Sequence, residues 1–167
     1  QGHLCSIMLP FCLTAFKGLV GETDHMERYQ LFNYLHWFPT RISNWDIAHL
    51  GQLFQTGEFI RFDYGTREAN EDAYGQQKPP LYPLEAITKD AKLIVFHGDT
   101  DALVSSHDIT KLLARLRNLS RATVIDHRVK SRTWNHVDYQ IGNGAGRLVG
   151  DPTVQYLDRY TADFSLP

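Results

Sequence analysis

The chain has 167 residues, which is enough for one sizeable domain. It is 43% hydrophobic and 22% charged, with a formal net charge of -2 and no block of Lys or Arg. These values are ordinary for a globular protein and argue against nucleic acid as a partner. No apolar run reaches membrane-spanning length, because Pro10 interrupts the longest candidate, Leu4 to Phe16.

The N-terminal region, up to about residue 80, is irregular and rich in aromatic side chains. It contains Cys5 and Cys12, and Pro10 between them is expected to break a helix. The spacing fits a disulfide and fits a pair of buried free thiols equally well. Because the chain begins at Gln1 and not at Met, we expect a processed chain or a piece of a longer one.

A Pro-rich connection, residues 76–90, leads into a regular alternation of elements. Lys92 to Phe96 is predicted to be a strand buried on both faces, as in a parallel sheet. Ser105 to Asp108 has the Ser-x-x-acid pattern of a helix N-terminus. The predicted helix that follows has one apolar face, formed by Ile109, Leu112, Leu113 and Leu116.

A second short strand is predicted at Ala122 to Ile125, and a last helix after it. Asp151 is the predicted N-cap of that helix and Pro152 its first residue. Val154, Leu157 and Thr161 are expected to form its buried stripe. Residues 91–164 therefore alternate as strand, helix, strand, loop and helix, which predicts an α/β fold with a parallel sheet and right-handed crossovers.

Candidate chemical groups follow each predicted strand. Asp99 and Asp101 come just after the first strand, and His136 lies in the loop after the second. In parallel sheets functional groups gather beyond the carboxyl ends of the strands, so an acid and His136 are expected to meet there. A carboxylate beside one ring nitrogen of a histidine prepares the other nitrogen to accept a proton from a nucleophile. Turn acids and a surface histidine explain the same residues without chemistry.

Short motifs in order along the chain resemble the acid lipase family of α/β-hydrolases, the gastric and lysosomal type with their insect relatives. The similarity runs from Arg28 onward. Three stretches resemble the family segment that follows its lid: FPTRIS, NWDIAHLGQLFQTGEFIRFDYG and NEDAYGQQKPPLYPL. The matching residues are Pro39, Ser43, His49, Gln52, Gly57, Phe59, Asp63, Tyr64, Gly65, Asn70, Tyr74, Pro79, Pro80 and Tyr82.

The acid loop and the histidine loop also resemble that family. HGDTDALVSSHDITKLLARLRNL is similar to its acid loop, which implies that Asp101 is the triad acid and Asp99 a neighbouring turn residue, with a smaller chance that Asp99 is the acid. WNHVDY is similar to its Asn-His-Leu-Asp-Phe, which implies His136 as the triad histidine. Departures from the family pattern are Arg41 in place of Gly, Asp46 in place of Asn, and Leu103-Val104-Ser105 in place of Leu-Ala-Asp.

The resemblance covers only the C-terminal half of such an enzyme. The 167 residues contain no Gly-x-Ser-x-Gly, the elbow that carries the family's nucleophile. It implies a cap or lid at residues 1–80 and the C-terminal part of the α/β-hydrolase core at residues 81–167. We expect the nucleophilic Ser and the oxyanion hole on an N-terminal lipase segment or a separate chain, with Gln1 at a proteolytic cut.

The function that the resemblance implies is hydrolysis of lipid carboxylic esters by a serine lipase or esterase. Neither a metal nor an organic cofactor is expected. The alternative is a non-catalytic lipase-like protein that serves as a storage, carrier or structural subunit. Asn118-Leu119-Ser120 is an N-glycosylation sequon, and with the resemblance it indicates a secreted or lysosomal glycoprotein.

Overall fold

The computed structural model describes residues 8–27, 34 and 42–161. The chain divides into two compact units: a larger unit, Gln1–Phe38 with Ile87–Pro167, and a smaller unit, Pro39–Ala86. This division does not follow the predicted boundary at residue 80, since the N-terminal helix belongs to the unit that contains the strands. The identity of residues 1–80 as a cap stays a prediction.

Two parallel strands form the centre of the larger unit. β1, Lys92–His97, pairs with β2, Thr123–Arg128, so that Lys92 lies opposite Thr123 and His97 opposite Arg128. The predicted parallel arrangement is confirmed, and both strands extend further than the sequence pattern indicated. The prediction that β1 is buried on both faces is wrong for the described residues: its first residue is exposed and the other five are half-buried.

The helix between the strands begins as predicted. In α4, Ser106–Leu119, the Ser105 hydroxyl accepts a hydrogen bond from the Asp108 amide at 3.2 Å and donates to the Asp108 carboxylate at 2.6 Å. The first bond satisfies a backbone amide that a helix terminus otherwise leaves unpaired, and the second holds the two side chains together. The apolar face is buried at Ile109, Leu113 and Leu116 and half-buried at Leu112.

The N-terminal helix of the larger unit, α1, spans Leu9–Val20. Pro10 lies in its first turn, where a proline has no helical hydrogen bond to lose, and Met8 before the helix is not helical, as expected of a helix interrupted at this proline. Phe16 and Val20 are buried and pack with half-buried Leu103 and Val137 from the loops that follow the strands. Cys12 is disulfide-bonded, and its predicted partner Cys5 lies outside the described residues.

After β2 the chain forms a short helix, α5, Asp138–Ile141, then a π-helical turn, Gly146–Gly150, and then α6, Asp151–Thr161. Asp151 is not an N-cap, because its backbone is already helical and the π turn runs directly into α6.

The predicted buried stripe of α6 is also wrong. Val154 and Leu157 are 56% and 52% exposed. A different side of the helix faces the sheet, and there the Tyr156 ring packs against the rings of His127 and Phe96.

The smaller unit holds two capped helices: α2, Asn44–Thr56, and α3, Arg67–Tyr74. Hydrogen bonds tie α2 to the chain that follows it. The His49 ring bonds the Ile60 carbonyl at 2.9 Å, and the Gln52 amide group exchanges two hydrogen bonds with the Asp63 backbone. Buried Asn70 then donates to the Asp63 carboxylate at 2.9 Å. Several motif residues of this unit therefore form a structural network.

None of the helices in the described ranges is both long and apolar enough to cross a membrane. Within the same ranges, no group of three or more His, Cys, Asp or Glu side chains is arranged to hold a metal ion.

Candidate active site

Asp101 and His136 meet beyond the carboxyl ends of the two parallel strands. Oδ2 of Asp101 lies 3.0 Å from Nδ1 of His136. Since a carboxylate can only accept, Nδ1 carries the hydrogen and donates it. Nε2 of the same ring has no hydrogen-bond partner among the described residues. The side chain of Asp101 is 6% exposed and that of His136 is 43% exposed.

The buried carboxylate of Asp101 is held from its other side by its own loop. Its Oδ1 accepts hydrogen bonds from the backbone amides of Leu103 and Val104, both at 2.9 Å. Bonds from backbone amides keep a carboxylate in one position and stabilise its ionised form. The acid is therefore fixed, while the ring that it orients reaches solvent.

The second acid of the loop has a separate partner. Both carboxylate oxygens of Asp99 bond the guanidinium of Arg128, the last residue of β2, with Nε at 2.8 Å from Oδ1. This pairing with Arg128 holds the pKa of the Asp99 carboxyl below its usual value. Asp99 therefore contacts β2, and Asp101 is the acid that contacts His136.

A tight turn presents His136. The Asn135 side chain is fully buried, and its Oδ1 accepts from the Val137 amide at 3.0 Å and the Asp138 amide at 3.1 Å. In return Oδ2 of Asp138, which is also fully buried, accepts from the Asn135 amide at 2.8 Å. These reciprocal bonds fix the backbone on both sides of the histidine.

The end of α1 connects the acid loop to the histidine loop. The Val20 carbonyl accepts a hydrogen bond from the His136 amide at 3.1 Å and one from the Ala102 amide at 3.4 Å. The next carbonyl, of Gly21, accepts from Nδ2 of Asn135 at 3.0 Å. One short stretch of backbone therefore sets the separation of the residues beside the acid and the histidine.

The residues after α1 continue this connection. The Thr100 hydroxyl donates to the Glu22 carbonyl at 3.1 Å, and the Asp24 amide donates to the Thr133 hydroxyl at 3.2 Å. Gly21 has φ +99°, and a Cβ placed on it would lie 1.8 Å from the Thr100 carbonyl oxygen. Only glycine fits so close to the acid loop in this conformation.

His25 completes the attachment of this segment. Its Nδ1 lies 3.0 Å from the Asn143 carbonyl oxygen and its Nε2 lies 2.7 Å from the Ser131 hydroxyl. Its ring packs edge-on against Trp134, with ring centroids 4.8 Å apart. The segment 20–25 is therefore bonded to the chain before and after His136.

Gly98 brings the acid loop against the histidine loop. A Cβ on Gly98 would lie 2.5 Å from the carbonyl oxygen of Trp134, a fully buried residue, and 3.0 Å from its Cβ. The Trp134 ring also packs edge-on against Tyr139, with ring centroids 5.8 Å apart. The close approach of the two loops therefore depends on the missing side chain at position 98.

Burial raises the pKa of two groups that follow His136 in the chain. Burial raises the pKa of the Asp138 carboxyl, although hydrogen bonds from the Asn135 amide and the Thr23 hydroxyl act in the opposite direction. The pKa of the Tyr139 hydroxyl is also raised, first by burial and then by the nearby carboxylate of Asp101.

Comparison with known proteins finds relatives that are named as lipases. No protein-family model matches the chain. The chain is 26% identical over 157 residues to Lipase member N of Mus musculus, covering 92% of the chain and 37% of that protein. It is 30% identical over 162 residues to Lipase 3 of Drosophila melanogaster, covering 95% and 39%. It is 32% identical over 127 residues to gastric triacylglycerol lipase of Rattus norvegicus, covering 76% and 30%.

The chain is related to the acid lipase family. This confirms the resemblance drawn from the motifs. The chain spans about a third of the length of the curated lipases that it matches. The parallel strands with their crossing helix are consistent with part of an α/β-hydrolase fold.

The sequence indicated some residues of the site and missed others. Spacing and resemblance predicted the loops that carry Asp101 and His136, and the structure brings these side chains into contact. Their catalytic role stays a prediction. The bonds of Asn135 and Asp138 were missed, although both flank His136 in the quoted motif. Gly21 was also missed, because only its position after an apolar helix is visible in the sequence.

The predicted glycosylation site lies on the surface. Asn118 is exposed in the last turn of α4, and the Ser120 hydroxyl of its sequon donates to the Leu116 carbonyl at 2.6 Å. Modification of Asn118 stays a prediction.

Proposed function

We propose that the chain supplies the acid and the histidine of a serine lipase or esterase that hydrolyses lipid carboxylic esters. The observation that carries this proposal is the contact between Asp101 Oδ2 and His136 Nδ1, with the acid buried and the ring exposed. The nucleophilic Ser would lie on an upstream segment or a separate chain. The lipase names of the relatives support the substrate class.

In the proposed mechanism each of the two residues has one task. Asp101 holds His136 in the tautomer with hydrogen on Nδ1, so the lone pair of Nε2 can take the proton of the serine hydroxyl. The serine oxygen attacks the ester carbonyl, and His136 returns the proton to the alcohol as it leaves. Water then attacks the acyl-enzyme, and His136 takes its proton and returns it to the serine oxygen as the fatty acid is released. Asp101 remains ionised and stabilises the imidazolium in both steps.

The smaller unit provides apolar surface suited to lipid. On α2 the large side chains of Ile47, Leu50 and Phe54 are between 49% and 61% exposed. We propose that this unit belongs to the cap and contacts the acyl chains of the substrate. The disulfide bond at Cys12 and the exposed Asn118 sequon support a secreted or lysosomal location, because disulfides persist in oxidising compartments.

The first experiment is labelling of the native protein with a fluorophosphonate probe, followed by a non-reducing denaturing gel and intact masses. A labelled upstream segment or co-purifying chain is the expected result, because His136 would activate its serine. If nothing that accompanies this chain is labelled, the catalytic proposal fails. The non-catalytic storage, carrier or structural function would then be the better account.

Variants of the complete protein test the two assigned residues. His136→Ala should lower ester hydrolysis by roughly 10³-fold or more, as for other triads. Asp101→Asn should also cost heavily, because the amide no longer fixes the tautomer. Asp99→Asn is the matched control, since the same change two residues away removes only the pairing with Arg128. Loss of activity in Asp99→Asn with retention in Asp101→Asn would mean that the acid is wrongly assigned.

A further inference from the structure

The smaller unit contains an open hollow of about 310 Å³, lined by Trp45, Asp46, His49, Phe62 and Tyr64, which we call the Trp45 hollow. Its three largest aromatic rings lie close together and are steeply inclined. The Phe62 centroid is 4.9 Å from that of Trp45, at 70°, and 5.2 Å from that of Tyr64, at 73°. Trp45 and Tyr64 are 64% and 46% exposed, so protein covers only part of their rings.

Asp46 is the one acidic residue among the residues that line the Trp45 hollow. The Asp46 carboxylate forms no hydrogen bond or ion pair with any described residue. The His49 ring lies with Nε2 2.9 Å from the Ile60 carbonyl oxygen, so Nε2 donates its hydrogen to the backbone. The lining contains neither Lys nor Arg. The Asp46 carboxylate carries a full negative charge, and exposed faces of aromatic rings carry a partial one.

We infer that the Trp45 hollow binds a quaternary ammonium group, the methylated cation found in choline. Such a cation offers apolar methyl groups to the rings and a positive charge to their faces and to Asp46. A bare divalent metal ion fits less well, because it requires several oxygen ligands and the hollow offers one carboxylate. The free cation and a lipid headgroup share this chemistry. The inference is independent of catalysis, since it uses residues other than Asp101 and His136.

The test measures binding to the full chain by saturation-transfer NMR of the ligand methyl groups and by titration at low salt. Choline is compared with 3,3-dimethylbutanol, which has the same shape without the charge. Binding of choline, with much weaker binding of the neutral compound, is the expected result. Equal binding of the two would overturn the inference, because it would show a merely apolar hollow. Absence of choline binding, in solution and on vesicles alike, would overturn it as well.

Two variants locate the site. Trp45→Leu removes one aromatic wall but keeps an apolar side chain, and it should raise the Kd for choline roughly two- to fivefold. Asp46→Asn removes the charge at constant shape and should raise the Kd by a similar factor, roughly two- to fivefold. Asp72→Asn is the matched control, because Asp72 is exposed on α3 and does not line the hollow. Equal effects of Asp46→Asn and Asp72→Asn would refute the assignment.

Vesicles distinguish the two sources of the cation. Ether-linked phosphatidylcholine is used because it has no ester to hydrolyse, and phosphatidylglycerol vesicles lack the ammonium group. Binding to phosphatidylcholine that exceeds binding to phosphatidylglycerol, and that Asp46→Asn weakens, indicates a lipid headgroup. Binding of free choline with no preference between the vesicles indicates a free cation. Equal binding to both vesicles without binding of free choline would overturn the inference.

Discussion

Replacing Gly21 with Ala should damage the larger unit far more than the same change at a glycine with nearly the same positive φ. Gly21 has φ +99° and Gly144 has φ +96°. At Gly144 the nearest atom to an added Cβ is Cδ1 of Leu148 at 3.7 Å, an ordinary contact. At Gly21 the added Cβ would lie 1.8 Å from the Thr100 carbonyl oxygen. Both variants place an alanine at a positive φ, and they differ in the collision.

The magnitude follows from the bonds that must break. An alanine at such a φ costs about 1–3 kcal/mol in either position. To clear the collision, the acid loop must move away from the segment 20–25. That movement breaks the Ala102 amide bond to the Val20 carbonyl and the Thr100 hydroxyl bond to Glu22. At about 1 kcal/mol for each hydrogen bond, Gly21→Ala should cost roughly 2 kcal/mol more than Gly144→Ala.

Hydrogen exchange of the β1 amides, read by mass spectrometry, measures the stability of the larger unit by itself. Gly144→Ala should accelerate exchange modestly and Gly21→Ala should accelerate it roughly thirtyfold further, the factor that corresponds to about 2 kcal/mol. Equal acceleration in the two variants would refute the reasoning. It would mean that the acid loop yields to the added methyl group at no cost, so the segment does not set its position.

Other predictions concern the turn, the titrating acids and the covalent modifications. Asn135→Ala should lower the free energy of unfolding by more than about 2 kcal/mol in denaturant titration, because it unpairs buried amides around the histidine. Because burial raises the pKa of Asp138, the folded protein binds that proton more tightly than the unfolded chain. Stability should therefore fall as the pH rises from about 4 through the folded pKa, and Asp138→Asn should remove this slope; an unchanged slope would exclude Asp138 as its source. The Asp99 pKa is lowered, so the stability from its ion pair is present above about pH 4 and disappears as the pH falls through the folded pKa. Thermal unfolding of wild type and Asp99→Asn across that range should converge in acid, and a difference that persists there would contradict the pairing. Glycosidase treatment should lower the mass of the native chain if Asn118 carries a glycan, and Asn118→Gln should abolish that shift. Alkylation of Cys12 should require prior reduction, and labelling without reductant would contradict the disulfide.

The sequence predicted the parts of the larger unit whose signals are local. The apolar run at Lys92 to Phe96 identified β1, and the Ser105 capping pattern located the start of α4 correctly. A capping box satisfies its own helix terminus with residues three positions apart, so it holds in almost any surroundings. Resemblance then separated Asp101 from Asp99, a choice that two acids in one turn leave open by spacing alone.

The errors lie where packing against distant residues decides the outcome. The stripe of Val154 and Leu157 is exposed because the side of α6 that carries Tyr156 packs on the strands instead. Periodicity in a sequence shows that a helix has an apolar side, but another aromatic side can outcompete it for the available surface.

By itself, the sequence determined that an acid and a histidine follow neighbouring parallel strands, because strand order and the crossing helix fix which ends meet. The tertiary structure alone decided how they are held. The Val20 carbonyl accepts bonds from both loops, Gly21 fits beneath the acid loop, and Gly98 lets that loop lie against Trp134. These contacts join residues between 36 and 116 positions apart, as from Gly98 to Trp134 and from Val20 to His136. No local pattern encodes them, because each depends on the fit of two surfaces that exist only in the folded chain.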